Sequence, residues 1–251
     1  MTRKKAGVDP ALARVALLIG EDGVRRLGAA RVAVFGVGAV GSFAIEALAR
    51  SGVGFLRIVD FDEVRVSNIN RQLFALRSTV GRSKAALAAA RIADLNPACE
   101  VDARPEFFAG PEADALLGGG LDFVIDAIDS MNPKVSLICE ARARGIPIVS
   151  SMGAAGRTDP TRVRVTDLNE VVGDHLSKIV RKKIRRRDVR DGVDAVWTTE
   201  RMLRPPEEPE AEEEYYERGR PRPPLPSMVF VPAAFGMAAA HHVVKALLAR
   251  R

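Results

Sequence analysis

The tightest constraint on this chain is an apolar run that empties into a glycine loop. Val32 to Phe35 lead straight into Gly36-Val37-Gly38-Ala39-Val40-Gly41, and a helical pattern comes next. Each glycine has a mechanical reason. Gly36 permits a tight turn, Gly38 lets backbone N–H groups approach phosphate, and Gly41 lets the helix pack on the strand. The helix start then faces the anion with free N–H groups and the positive end of its dipole. A second apolar run, Phe55 to Val59, ends at Asp60. That is about 20 residues past the last glycine, where a carboxylate takes ribose hydroxyls. The order predicts a parallel βαβ start with a nucleotide at its edge.

The residues after Asp60 narrow the nucleotide. Asp60-Phe61-Asp62-Glu63 leads to Ser67-Asn68-Ile69-Asn70-Arg71-Gln72, and Gly81-Arg82-Ser83-Lys84 opens an alanine-rich helix. An arginine and a lysine beside a phosphate turn suit a triphosphate with charge developing on its α-phosphorus. A dinucleotide loses no pyrophosphate and has no use for them. At these residues the segment resembles the ThiF/MoeB-like (ubiquitin-activating-enzyme-like) adenylyltransferases, which attach AMP to a carboxylate. The resemblance implies that Gly36, Gly38 and Gly41 cradle the phosphates and that Asp60 holds the ribose. It implies that Ser67, Asn68, Asn70 and Arg71 line the nucleotide and that Arg71 and Lys84 neutralise phosphate charge. Asp62 is either a ligand or a loop-forming residue. Further on, Phe123 to Ser130 matches the strand whose end carries the family's ATP and magnesium aspartate, here Asp129 with Ser130 beside it. Asp126 is expected to brace the strand end.

Strand and helix patterns alternate through this half of the chain. Helices are expected at Lys84–Leu95, Pro111–Leu117 and up to Arg144, with strands at Glu100–Arg104, Leu121–Ile125 and Ile146–Val149. That alternation predicts an α/β fold with a Rossmann-like, doubly wound, mainly parallel sheet and the nucleotide at the strand carboxyl ends. Gly36, Asp60 and Asp129 all fall at such ends, whatever family is named.

With 251 residues and 47% hydrophobic content, the chain suits one large domain or one domain with appendages. We divide it into an N-terminal helical segment (1–30), a nucleotide-binding core (31–168) and a C-terminal extension of mixed strands and helices (169–251). The extension holds a basic helix (175–190), a Pro/Glu-rich mobile segment (205–226) and a C-terminal helix. Ala11 to Leu27 reads as one or two helices broken at Gly20. It resembles the family's N-terminal helix, which in these dimers can send an arginine into the partner's ATP site. Arg14 falls at that position, with a solvated helix arginine as the equal alternative. The two cysteines, Cys99 and Cys139, are far apart, which provides neither a disulfide framework nor a four-cysteine zinc site. Both are expected to be buried and structural. The basic Met1–Lys5 start precedes no apolar signal core, so a cytoplasmic, reduced protein is expected. The apolar run Met228–Ala240 falls short of the ~20 residues that span a bilayer, and Pro232 interrupts it. It is read as a core or dimer-interface helix. No integral membrane segment is expected, and peripheral membrane association is the minor alternative.

Net charge is +6, and its placement matters more than its sum. Lys178, Arg181, Lys182, Lys183, Arg185, Arg186 and Arg187 put seven cations within ten residues. A charge run alone is ordinarily a solvated helix face, and no aromatics interleave here for base stacking. The wider pattern tips the balance: the Asp126–Ser130 strand end with Pro133-Lys134, the small-residue loop after Ser150, Asp159-Pro160-Thr161, Val196–Glu200 and Pro226–Pro232. Together these resemble the tRNA threonylcarbamoyladenosine dehydratases, which cyclise a modified adenosine in an ATP-dependent step. The resemblance implies ATP with Mg²⁺, with scope for a monovalent cation. It also implies a tRNA carrying threonylcarbamoyladenosine, a homodimer and a phosphate-binding role for the seven cations, and leaves open a sulfur-transfer protein as a further partner. The rivals are adenylation of a sulfur-carrier or ubiquitin-like protein tail, and a catalytically inactive nucleotide-binding module.

Overall fold

The computed structural model describes residues 8–203 and 225–249. After a short 3-10 turn, the chain runs α1 (Ala13–Ala29), β1 (Arg31–Phe35), α2 (Gly41–Arg50), β2 (Phe55–Val59), α3 (Lys84–Leu95), β3 (Glu100–Arg104), α4 (Ala113–Leu117) and β4 (Phe123–Asp126). It continues through α5 (Met131–Ala143), β5 (Ile148–Ser151), β6 (Val163–Asp167), α6 (His175–Arg185), β7 (Asp194–Thr198) and α7 (Phe230–Ala249). All seven strands form one sheet in the order β3-β2-β1-β4-β5-β7-β6. Every pairing is parallel except β6 with β7.

Alternation along the strands sorts the core into two layers. On one face Val32, Val34, Leu56, Ile58 and Ile125 pack with Ile45 of α2, Ile92 of α3 and Phe235 of α7. On the other, Ala33, Phe35, Val124 and Ile148 pack with Leu137 and Ile138 of α5 and Val180 of α6. The expected break in the N-terminal helix falls at Gly20, which sits at φ +75° inside α1.

Two expectations need correction. Strand β5 begins at Ile148 rather than Ile146, because Ile146 N–H still bonds back to Ala141 O at the end of α5. The C-terminal helix spans 20 residues, and Pro232 lies in its first turn, where a missing N–H costs nothing. Among the described residues α7 is the one helix long and apolar enough to cross a bilayer. Its stripe of Val231, Phe235, Ala239, Val243 and Leu247 is nonetheless buried in the protein core. Gly236 makes this packing close, since a Cβ there would stand 2.4 Å from Val40 O. The C-terminal extension from 169 also contributes to the sheet. Its strand β7 inserts between β5 and β6, so the sheet runs across that boundary. The Pro/Glu-rich segment lies outside the described residues but for its last two.

Candidate active site

The site is built on one line across the sheet. In register, Phe35 is level with Val59 and with Asp126, and Asp126 with Ser150. The glycine loop, Asp60 and the 127–130 loop therefore leave the carboxyl edge side by side. Gly36 N–H donates to Val59 O at 2.8 Å, and Ala127 N–H donates to Phe35 O at 2.8 Å. Gly36 sits at φ +92°, and a Cβ would press within 2.7 Å of Ala127 O. At Gly41 a Cβ would fall 1.8 Å from Gly36 O, so that glycine closes the loop on itself. Gly38 differs. Its nearest neighbour would be Gln72 Nε2 at 3.9 Å, which leaves its backbone open to an incoming phosphate.

Asp60 is only 8% exposed. Its carboxylate accepts Val37 N–H at 2.5 Å and Asp62 N–H at 2.8 Å. Burial pushes its pKa above the ordinary range, more strongly than the Lys84 charge and the two N–H donors pull it down. Each oxygen keeps a lone pair for a further donor such as a ribose hydroxyl. Lys84, at the first turn of α3, is buried and pairs with Asp62 Oδ2 at 2.9 Å. Asp62 thus sits between the two functional candidates, as the counter-ion of one and the backbone donor to the other.

Arg71 is half-buried and turned along its own loop. Its Nη1 donates to Ser67 O at 2.7 Å and to Asn70 Oδ1 at 2.9 Å. Asn70 in turn donates to Ser227 O at 2.9 Å, which ties this loop to the segment before α7. Asn68 is buried, and its Oδ1 accepts the Arg65 N–H at 3.2 Å, which shapes the loop. Asp129 is exposed, with Ser130 Oγ donating to it at 3.3 Å. Asp126 braces the strand end, as expected. It accepts Ile128 N–H, Ser150 Oγ–H and the Lys134 ammonium. Among the described residues no cluster of three or more His, Cys, Asp or Glu could hold a metal alone. A single exposed carboxylate such as Asp129 matches Mg²⁺ held chiefly by nucleotide phosphates and water.

Arg14 is exposed on the first half of α1. Leu12 just before it packs against Gly52, at the amino end of β2. Within one chain, Arg14 therefore sits at the edge opposite the glycine loop. The basic helix α6 stands alongside α5, with Lys183 Nζ 2.8 Å from Asn132 Oδ1 and Arg187 Nη1 3.2 Å from Ser136 Oγ. Its start is capped by Asp174, which accepts Ser177 N–H at 2.7 Å and pairs with buried Arg157 at 3.2 Å.

Two residues at this edge escaped the sequence reading of the site. Gln72 is buried, and its Oε1 has no hydrogen-bond partner. An orphaned buried oxygen next to Gly38 is what a ligand donor would satisfy. Lys134 is fully buried beneath the Asp129 loop. Cys99 and Cys139 are buried, as expected, and burial pushes the Cys99 thiol up to about 11. Neither is a ready nucleophile.

The sequence pattern of the ThiF family matches residues 12–251. The chain is 44% identical to a tRNA threonylcarbamoyladenosine dehydratase of Bacillus subtilis, over 92% of each sequence. It also resembles the crystal structure of the Escherichia coli tRNA N6-threonylcarbamoyladenosine dehydratase in complex with AMP, with a TM-score of 0.85 and 36% identity, covering 94% of this chain and 93% of that one. The ATP complex of the same enzyme matches with a TM-score of 0.83 and 35% identity, covering 95% and 94%. The glycine loop, the buried Asp60 and Lys84 beside it and the near full-length likeness agree: this chain belongs to the ThiF family.

Proposed function

We propose that this enzyme cyclises threonylcarbamoyladenosine in tRNA, using ATP to activate the side-chain carboxylate. The observation that carries the reading is the carboxyl-edge cluster of Gly38, Asp60 and Lys84, beside the unpartnered Gln72 Oε1. The near full-length likeness to dehydratases seen with AMP and ATP supports it.

The residues divide the work between binding and charge. The Gly36–Gly41 loop and the start of α2 receive the phosphates, and Asp60 takes the ribose. Ser67, Asn70 and Arg71 line the nucleotide from the facing loop, while Asn68 shapes that loop. The carboxylate oxygen attacks the α-phosphorus and pyrophosphate leaves. Arg71 and Lys84 stabilise the charge that builds there. A nucleophilic atom of the modified nucleoside itself then attacks the acyl carbon, AMP leaves, a proton is released, and the ring closes with net loss of water. This second step is intramolecular and needs no thiol, in keeping with two buried cysteines. Asp129, together with the nucleotide phosphates, would hold Mg²⁺, which would supply charge neutralisation there. Arg14 serves the partner's site in a homodimer, and α6 faces the tRNA. The monovalent cation and the sulfur-transfer protein, both left open by the resemblance, enter the assay as variables, and the reaction belongs in the cytoplasm.

The test is AMP release from ATP with and without tRNA bearing threonylcarbamoyladenosine, with mass analysis of its nucleosides afterwards. Stimulation by that tRNA alone, with a product lighter by one water, supports the reading. Stimulation by a carrier-protein tail and not by the modified tRNA would overturn it.

A further inference from the structure

The seven cations at α6 look alike in the sequence, yet they divide by what they touch. Arg181 donates to Leu168 O at 2.7 Å and Val171 O at 2.6 Å. Arg185 donates to Asn169 Oδ1 at 2.7 Å, Lys183 to Asn132 Oδ1 at 2.8 Å and Arg187 to Ser136 Oγ at 3.2 Å. These four are tied to the protein. Lys178, Lys182 and Arg186 are exposed and meet no acceptor among the described residues.

The free three are spaced four apart, so they form one row on the helix, about 6 Å between neighbours along the axis. The row spans roughly 12 Å, the length of three to four phosphates of one stacked duplex strand at ~3.4 Å each. With Arg181 and Arg185 they line an open concavity of ≈ 480 Å³ whose wall contains no carboxylate. None of the exposed large hydrophobic residues lies on α6, so the face has nothing to insert into a bilayer. Its position is fixed at both ends. The buried Arg157–Asp174 pair holds the helix start, and Lys183 bonds to Asn132, in the first turn of α5 just beyond the Asp129 loop.

We propose that Lys178, Lys182 and Arg186 form a rail for the phosphate backbone of tRNA, and that the other four cations hold the helix carrying it. This rests on the proposed tRNA substrate and goes further, because it assigns different roles within one charge run.

The experiment measures affinity for threonylcarbamoyladenosine-bearing tRNA as a function of salt. Neutralising the row (Lys178→Gln, Lys182→Gln, Arg186→Gln) should flatten the log affinity against log salt slope by about 2–3, close to one per lost phosphate contact. Lys182→Gln alone should flatten it by about 1. Arg181→Met should lower the melting temperature and change the slope by less than about 1. A triple variant that melts with the wild type and keeps the wild-type slope overturns the rail. So does an Arg181→Met slope change as large as the triple variant's. If the triple variant instead loses binding to phosphatidylserine vesicles while its tRNA slope stands, the row reads membrane and the proposal fails. Turnover of modified tRNA by the wild type with no slope change in the variant sinks the rail alone. A slope change without turnover sinks the dehydratase reading alone.

Discussion

Lys134 Nζ lies 2.7 Å from Asp126 Oδ2, and neither side chain has any exposed surface. The ammonium also donates to Ser151 O at 2.9 Å and to Ser150 Oγ at 3.3 Å, which uses all three of its N–H groups. Asp126 accepts Ser150 Oγ–H at 2.5 Å and Ile128 N–H at 3.0 Å. The pair therefore clamps β4 to β5 and shapes the turn that presents Asp129.

Breaking that pair from one side should be severe. Lys134→Met leaves an uncompensated buried carboxylate, and a loss of about 3–5 kcal/mol is expected in urea unfolding. Adding Asp126→Asn should restore part of the loss, because the amide still accepts the Ile128 N–H without a charge. If the single variant loses less than about 1 kcal/mol, the carboxylate has found another counter-ion and the clamp is misassigned.

The glycine loop separates two kinds of glycine. Gly41→Ala forces a Cβ to 1.8 Å from Gly36 O and should cost roughly 3 kcal/mol or more. Gly38→Ala meets only Gln72 Nε2 at 3.9 Å, so its stability should stay within about 1 kcal/mol of wild type. Under the proposed function its methyl group occupies the phosphate approach, and ATP affinity should fall about tenfold or more. Calorimetric melting and ATP titration of both variants check this. A Gly38→Ala protein that binds ATP like the wild type would move the phosphates off this loop.

The parts of the site visible in the sequence are those fixed by near neighbours. The run from Val32 to Gly41 sets its own turn, and the position of Asp60 is set by strand length. The structure places both at one edge. What the sequence concealed depends on distant partners. Strand β7 is five residues long and is defined by register with Val149–Ser151 on one side and Val163–Asp167 on the other. No local period marks it. Lys134 did leave a trace, since it shares a buried helix stripe with Leu137, Ile138 and Ala141. A lone cation on an apolar stripe, eight residues after a strand-end aspartate, asks for that partner. Gln72 left none, because only the packed loop shows which of its atoms lacks a partner.

Glu46 gives a pH prediction. Burial raises its carboxyl, but hydrogen bonds and charges from Arg91 and Arg50 outweigh this and hold it below the usual 4.5. A depressed folded value adds stability above the unfolded value and loses it as pH falls through the folded one. Glu46→Gln should therefore be less stable than wild type at neutral pH. The gap should close as pH drops below 4.5. Both arginines are largely exposed, so the gap should be ~1 kcal/mol or less. Urea midpoints across that range decide it, and a gap that widens toward acid contradicts the assignment.

Lys84 should separate chemistry from folding. Its partner Asp62 keeps 32% of its side-chain surface exposed, so Lys84→Ala leaves a carboxylate that water can solvate. Stability should fall by only about 1 kcal/mol. AMP formation should fall by at least about 10²–10³, the range for removing a preorganised group from developing charge. Undiminished AMP release from a folded variant would take Lys84 out of the site.

Arg14 supplies the test of assembly. It sits on α1 close to Leu17 and Leu18, which are 89% and 85% exposed, and its own chain places it away from the glycine loop. If a second copy covers this helix and receives Arg14 at its nucleotide edge, Arg14→Ala and Lys84→Ala damage different halves of one composite site. Each variant alone should form little AMP. Mixing the two and exchanging subunits should create dimers in which one site has lost both residues and the other retains both, so activity returns. The gain should grow with time as subunits exchange and stop when the variants are crosslinked before mixing. A mixture no more active than its components, with exchange verified by differently tagged chains, places Arg14 outside the partner's site and returns it to a solvated helix face.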